Sequence, residues 1–159
     1  MSAAFVGLGA NLGEPERRVR QAFLELDAIP HTRVVSTSSL YRSDPVGYAA
    51  QPRFVNAVAE LDTGLAPDRL LAELQAIEAR HARSRSFPNA PRTLDLDLLL
   101  FGDAILDFPG LQIPHPRMHE RAFVLVPLLE IAPQAAVPGK GAAKALLAQC
   151  AGQAVERLA

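Results

Sequence analysis

Two carboxylates two positions apart stand in the chain's most chemically suggestive stretch, Arg92-Thr93-Leu94-Asp95-Leu96-Asp97, which runs on into Leu98-Leu99-Leu100-Phe101. The apolar run predicts a strand, in which side chains at i and i+2 share a face with Cα atoms ~6.6 Å apart. Asp95 and Asp97 are therefore expected on one face, with Leu94, Leu96, Leu98 and Leu100 packing the other. Like charges that close repel by about 2 to 3 kcal/mol at an effective dielectric near 20, a cost that intervening cations offset. Magnesium suits the role, because two-metal phosphoryl-transfer sites hold their ions about 3.5 to 4 Å apart. An edge strand charged against aggregation would show the same pattern, so the dyad alone leaves both readings open.

Basic residues lie close by. Between Glu78 and Asp95 the chain carries Arg80, Arg83, Arg85 and Arg92 and no acid, with Ser84, Ser86, Pro88, Asn89 and Pro91 interrupting any helix. Guanidinium groups grip phosphate in a bidentate fork. The 14 Arg against Lys140 and Lys144 could reflect a GC-rich coding sequence, but that would not cluster them. A second group, Ile113-Pro114-His115-Pro116-Arg117-Met118-His119-Glu120-Arg121, offers His115 and Arg121 as further anion ligands. The segment 83–92, rich in Pro and Ser with few apolar anchors, is expected to order over a bound polyphosphate as a lid.

These residues need a scaffold. Residues 3–8 read as a buried strand, and Glu14-Pro15 opens a helix with Val19, Ala22, Phe23 and Leu26 at helical spacing. Residues 32–41 are strand-like, and a loop containing Pro and Gly follows through Pro52. Residues 54–61 alternate as a further strand. The next helix starts near Pro67 and is expected to bury Leu70, Leu71, Leu74 and Ile77. With the strand at 94–101 this completes a β-α-β-β-α-β order, the signature of a ferredoxin-like α+β core with a mainly antiparallel sheet. A short hairpin is expected before Ile113, a mainly helical stretch over 118–131 despite Pro127, and a last helix over 142–148. The chain reads as one domain spanning residues 1–159.

Two nucleotide motifs fail. Gly7-Leu8-Gly9-Ala10-Asn11-Leu12-Gly13 is one residue too long in its last spacing for the dinucleotide fingerprint, and its glycines are expected to shape the strand exit. Gly139-Lys140-Gly141 lacks the upstream glycine and the following Ser or Thr of a P-loop. A nucleotide site would therefore be built from side chains. The 159 residues with 49% hydrophobic content suit a sizeable core, and a net charge of −1 argues against nucleic acid as the main partner. Cys150 is the lone cysteine, no basic leader precedes an apolar stretch, and no run is long enough to cross a membrane. A cytoplasmic monomer without membrane association is the expectation.

The ordered set of motifs resembles the 6-hydroxymethyl-7,8-dihydropterin pyrophosphokinase family. It begins with Phe5-Val6-Gly7-Leu8-Gly9-Ala10-Asn11-Leu12-Gly13, continues through Ser38-Ser39-Leu40-Tyr41-Arg42 and Gln51-Pro52-Arg53-Phe54-Val55-Asn56-Ala57, and peaks at Ala90-Pro91-Arg92-Thr93-Leu94-Asp95-Leu96-Asp97. Ile113-Pro114-His115 and Arg121-Ala122-Phe123-Val124-Leu125 close it. The resemblance implies transfer of pyrophosphate from ATP to the pterin hydroxymethyl oxygen with release of AMP, in folate biosynthesis, with two magnesium ions on Asp95 and Asp97. It places Gln75, Glu78, Arg83, Arg85, Arg92, Leu98, His115 and Arg121 at ATP, with Arg83 and Arg92 joining the dyad in catalysis. It also assigns Ser43, Pro45 and Val46 to the pterin, mostly through backbone. A flat polar heterocycle calls for aromatic faces and an amide edge, so Phe54 and Phe123 become the stacking candidates and Asn56 the edge reader. The chain departs from some family members at Asn89, where a tryptophan can stand, at Gly110 in place of an arginine, and at Pro116 in place of an aromatic. Segment 83–92 is also one residue shorter. Two other classes would use similar parts: a metal-dependent nucleotidyl transferase, cleaving at the α-phosphorus, and a noncatalytic binding module that releases no AMP.

Overall fold

The computed structural model describes residues 1–44, 52–81 and 93–158. Arg83, Arg85 and Arg92, Pro45 and Val46, and the expected lid at 83–92 lie outside these. The elements run β1 (Ser2–Ala10), α1 (Pro15–Asp27), β2 (Thr32–Thr37), β3 (Tyr41–Ser43), β4 (Phe54–Thr63), α2 (Pro67–His81) and β5 (Asp95–Phe101). The hairpin β6 (Leu106–Phe108) and β7 (Leu111–Ile113) comes next, then α3 (Ala122–Ile131), a small pair β8 (Ala136–Val137) and β9 (Gly141–Ala142), α4 (Ala143–Ala148) and β10 (Val155–Arg157).

The central sheet is antiparallel in the order β10-β3-β4-β1-β5, with β2 also on β4. This is the ferredoxin-like arrangement the element order predicts. The single strand expected over 32–41 is two. Between them Ser38 leaves the strand path: its N–H donates to the Val58 carbonyl at 2.9 Å and its Oγ accepts the Val58 N–H at 2.9 Å. The two halves thus reach opposite ends of the ten-residue β4. Sequence reading missed β10, which extends the sheet beyond β3 with Val155, Glu156 and Arg157.

Alternation along the strands separates two apolar layers. Ala4, Val6 and Leu8 of β1 and Ala57, Ala59 and Leu61 of β4 pack beneath α1 and α2, whose Val19, Leu26, Leu70, Leu74 and Ile77 are buried. The opposite layer joins Val58 and Leu99 to Leu125 and Leu128 of α3 and Leu146 of α4. Leu100 was expected beside Leu98 but belongs to this second layer. The reason is a register shift against β1, where Phe5 pairs with Leu100 and Val6 with Leu98, so that Leu99 is inserted as an extra residue.

The stretch expected to be helical over 118–131 starts as a 3-10 turn at Met118–Glu120, and α3 begins only at Ala122. No side chain of its own caps α3. Gln153 does so from across the chain, its Oε1 accepting the Ala122 N–H at 2.9 Å while its Nε2 donates to the Glu120 carbonyl at 2.8 Å.

Candidate active site

β1 lies between β4 and β5, and its glycines shape what stands on it. Gly9 pairs with Asn56 on one side and Asp95 on the other, and Gly7 with Val58 and Asp97. A Cβ on Gly9 would meet the Asn56 Nδ2 at 3.3 Å and the Phe54 ring at 3.9 Å. These glycines therefore do more than shape a strand exit: without side chains, they leave open the floor between the Asn56 side and the carboxylate side. Sequence reading missed this role, although the G-x-G spacing on one strand face was its visible signal.

Over that floor lies a cavity of about 190 Å³ lined by Ser43, Phe54, Asn56, Phe123, Arg121, Asp95 and Asp97, among others. Six of the residues expected at the pterin or the metal, Ser43, Phe54, Asn56, Phe123, Asp95 and Asp97, meet here, together with Arg121, which was expected at ATP. Asn56 is only 5% exposed. Its Oδ1 accepts a hydrogen bond from the Ser43 hydroxyl at 2.5 Å, which turns the Nδ2 toward the open floor as a donor. Phe123 enters from the first turn of α3, and the Arg121 guanidinium lies 5.5 Å from the centre of its ring, a cation–π contact. Asp44 also lines the cavity, a residue the sequence did not single out; its carboxylate accepts from Arg53 Nε at 3.1 Å.

Glu130, at the far end of α3, holds this wall in place. Its carboxylate accepts from the Ser39 backbone N–H at 3.0 and 3.1 Å, the Ser39 hydroxyl at 2.9 Å and the Tyr41 hydroxyl at 2.6 Å. α3, which carries Phe123, is thereby pinned to the start of β3, which carries Ser43. Burial alone would push the Glu130 carboxyl up, but the bonds from Tyr41 and Ser39 and the charge of Arg157 outweigh it and leave the group below its ordinary value. Burial and the same carboxylate push the Tyr41 phenol up to about 12.

A second cavity, about 610 Å³, lies on the other side of the dyad and is lined by Leu71, Asp97, Leu98, Phe108, Gln112 and His115, among others. Leu71 is thus a cavity wall, only partly buried rather than the core residue expected. The His115 backbone N–H donates to the Leu99 carbonyl at 2.9 Å, which fastens the residue to β5. Its Nδ1 accepts the Arg117 N–H at 3.1 Å, leaving the ring proton on Nε2, 3.9 Å from Asp97 Oδ1. Burial holds the imidazole pKa below its ordinary value; Asp97 opposes this, while Arg121 and Arg117 add to it. The Nε2–H is therefore the ring's free donor toward Asp97 and the cavity.

Glu78 was expected at ATP, and the structure puts its carboxylate at the strand. Its Oε2 accepts the Leu96 N–H at 2.9 Å, gripping the backbone between the two aspartates. Leu96 sits on β5, which among the described residues is the edge strand of the sheet beyond β1. Gln75, three residues earlier, is exposed and lines neither cavity.

Asp95 and Asp97 are half-buried on one face of β5, as i and i+2 spacing requires. The donor set suits magnesium, which keeps several waters and is usually bound through one or two carboxylates plus substrate phosphates. Among the described residues no group of three or more His, Cys, Asp or Glu forms a closed protein cage. Asp97 lines both cavities.

Two cavities that share one carboxylate lie on this ferredoxin-like sheet, so that groups held in them would meet at Asp97. Residues 5–133 match the 7,8-dihydro-6-hydroxymethylpterin-pyrophosphokinase (HPPK) family. The chain belongs to this family and is an enzyme of the pyrophosphokinase kind. It is 51% identical over 154 residues to the 2-amino-4-hydroxy-6-hydroxymethyldihydropteridine pyrophosphokinase of Pseudomonas aeruginosa, covering 97% of this chain and 95% of that protein. To the protein of the same name in Bacillus subtilis it is 44% identical over 131 residues, covering 82% of this chain and 78% of that one. Among solved structures, the Plasmodium falciparum HPPK-DHPS superposes with a TM-score of 0.70 at 14% identity, over 93% of this chain and 41% of that one. This chain thus spans less than half of that solved protein, and the likeness between them is one of fold.

Proposed function

We propose that the chain transfers the pyrophosphoryl group of ATP to the hydroxymethyl oxygen of 6-hydroxymethyl-7,8-dihydropterin and releases AMP, a step of folate biosynthesis. The observation that carries this reading is the position of Asp97, common to the walls of both cavities. The smaller cavity has the parts a pterin needs: the rings of Phe54 and Phe123 for its faces and the Asn56 amide for its polar edge. The larger cavity has room for a nucleoside triphosphate.

In this reading the His115 Nε2–H donates a hydrogen bond to a phosphate oxygen, and Arg121, lining the pterin side, faces the same group with its fixed charge. Arg83, Arg85 and Arg92 join them by family resemblance. Glu78 keeps the backbone between the carboxylates from shifting as charge gathers. Asp95 and Asp97 would hold two magnesium ions, which when bound supply positive charge to the phosphates and acidify the hydroxyl that attacks. The chain's residues orient that hydroxyl toward the β-phosphorus: the new O–P bond forms, the α-β bridging oxygen leaves on AMP, and the hydroxyl proton is released. Positioning and electrostatics carry such reactions. Among the described residues no helix is long and apolar enough to cross a membrane. We take the enzyme to be a single-domain, cytoplasmic monomer acting on small molecules. The direct test is AMP release with ATP, magnesium and the pterin. Release must depend on the pterin; ATP consumption that ignores it would reject the reading.

A further inference from the structure

We propose that Phe108, on the β6–β7 hairpin, is a specificity-determining residue that stacks on the nucleobase of the triphosphate substrate; this rests on the nucleotide reading of the larger cavity. Phe108 is 59% exposed, an unusual position for a ring with no polar atom to reward contact with water. It also lines the cavity that holds Asp97 and His115, so the exposed ring looks into a site rather than onto a bare surface. Ile113, 1% exposed, anchors the base of the hairpin, and the His115 N–H ties its exit to Leu99. From that base the strands run outward, with Leu106 paired to Ile113, Asp107 to Gln112 and Phe108 to Leu111.

Phe108 therefore stands at the tip. Its partner Leu111 is four residues from His115, at most ~14 Å along an extended chain, a reach a nucleoside triphosphate can span. Charge sets the orientation along that span. Asp107, beside Phe108, holds its carboxylate at the tip, where Oδ1 accepts from Gln112 Nε2 at 3.1 Å. A triphosphate is repelled there, whereas at the other end the His115 Nε2–H and the nearby charges of Arg117 and Arg121 stand beside Asp97 to receive it. The tip is left for the base, with the Phe108 ring as a stacking face and Leu71 and Leu98 as apolar walls.

The test compares a probe with a base and a probe without one. The intact enzyme and Phe108→Ala are titrated by calorimetry with α,β-methylene-ATP and with inorganic tripolyphosphate, each with magnesium. Phe108→Ala should weaken the nucleotide by ~5- to 150-fold, the range for losing one base–aromatic stack, and leave tripolyphosphate unchanged. Phe108→Trp should restore the nucleotide affinity, and pterin affinity should stay constant in both variants. Equal weakening of both probes, or no weakening of either, would overturn the assignment of Phe108 while leaving the nucleotide reading intact. Failure of the unsubstituted enzyme to bind either probe would overturn both.

Discussion

The Ser43 hydroxyl donates to Asn56 Oδ1 at 2.5 Å inside the smaller cavity, so a residue on one strand decides which way the amide on its neighbour faces. With the oxygen occupied, Nδ2 is the atom turned to a ligand. Ser43→Ala should then weaken pterin binding without removing any direct contact, because the amide becomes free to flip. Asn56→Ala should cost about 1 to 3 kcal/mol, the penalty for an unsatisfied polar edge, with ATP affinity preserved. Calorimetry with each ligand separately checks both; loss of ATP affinity instead would mean that the two cavities have been assigned the wrong way round.

Gly9 gives a steric prediction. A Cβ there would stand 3.3 Å from Asn56 Nδ2 and could not be accommodated without moving the amide. Gly9→Ala should fold, since β1 is extended at this point, yet bind pterin at least about tenfold more weakly, equivalent to ~1.4 kcal/mol. Gly9→Val should abolish binding. Unchanged affinity in the valine variant would show that the floor is not where the ring lies.

The dyad should matter to turnover more than to folding. Asp95→Ala and Asp97→Ala should each lower kcat by at least about a hundredfold, the usual cost of losing one strong electrostatic stabiliser. Glu78→Gln keeps an acceptor for the Leu96 N–H and should retain more activity than Glu78→Ala, which removes that acceptor and leaves β5 with its pairing to β1. Steady-state kinetics at saturating magnesium separates these cases. Equal rates for the two Glu78 variants would refute the positioning role.

Glu130 and Tyr41 make stability depend on pH at both extremes. Glu130 has its pKa lowered by folding, so its contribution is full above the ordinary carboxylate range and fades as pH falls through the depressed value. Tyr41 is shifted from 10.0 to about 12, so its contribution is full below 10.0 and fades as pH rises through about 12. At pH 7 Tyr41→Phe should cost ~1 kcal/mol, below the ~1.5 to 3 kcal/mol of a bond to a buried charged partner, because the Glu130 carboxylate is exposed. Urea titrations should show the gap between the parent chain and Glu130→Gln closing below about pH 4. A gap that stays constant through acid would contradict the assignment.

Much of this architecture can be read from residue order. The period-2 pattern of β5 and the 3.6 period of α1 and α2 place the carboxylates and the core, because burial enforces both periods. Less legible is what depends on contacts distant in sequence. That Glu130 holds Ser39 and Tyr41, or that Gln153 caps α3, cannot be seen in either local stretch, since each bond closes a gap of at least 31 residues. The move of Leu100 to the other layer reflects a bulge, which no alternation pattern in β5 reveals on its own. Gly7 and Gly9 were visible but misread, because a glycine in a strand marks close approach or empty space, and only the neighbouring strands decide which.

The central claim is that the pterin oxygen attacks the β-phosphorus of ATP across the Asp97 junction. It is tested most directly by running the reaction with pterin carrying 18O in its hydroxymethyl group and reading the products by 31P NMR. The label should appear as an isotope shift on the phosphorus bonded to the pterin carbinol oxygen, in a pterin diphosphate, with AMP unlabelled. A pterin joined to AMP with release of pyrophosphate, or a pterin monophosphate with ADP, would place the attack at another phosphorus and contradict the account.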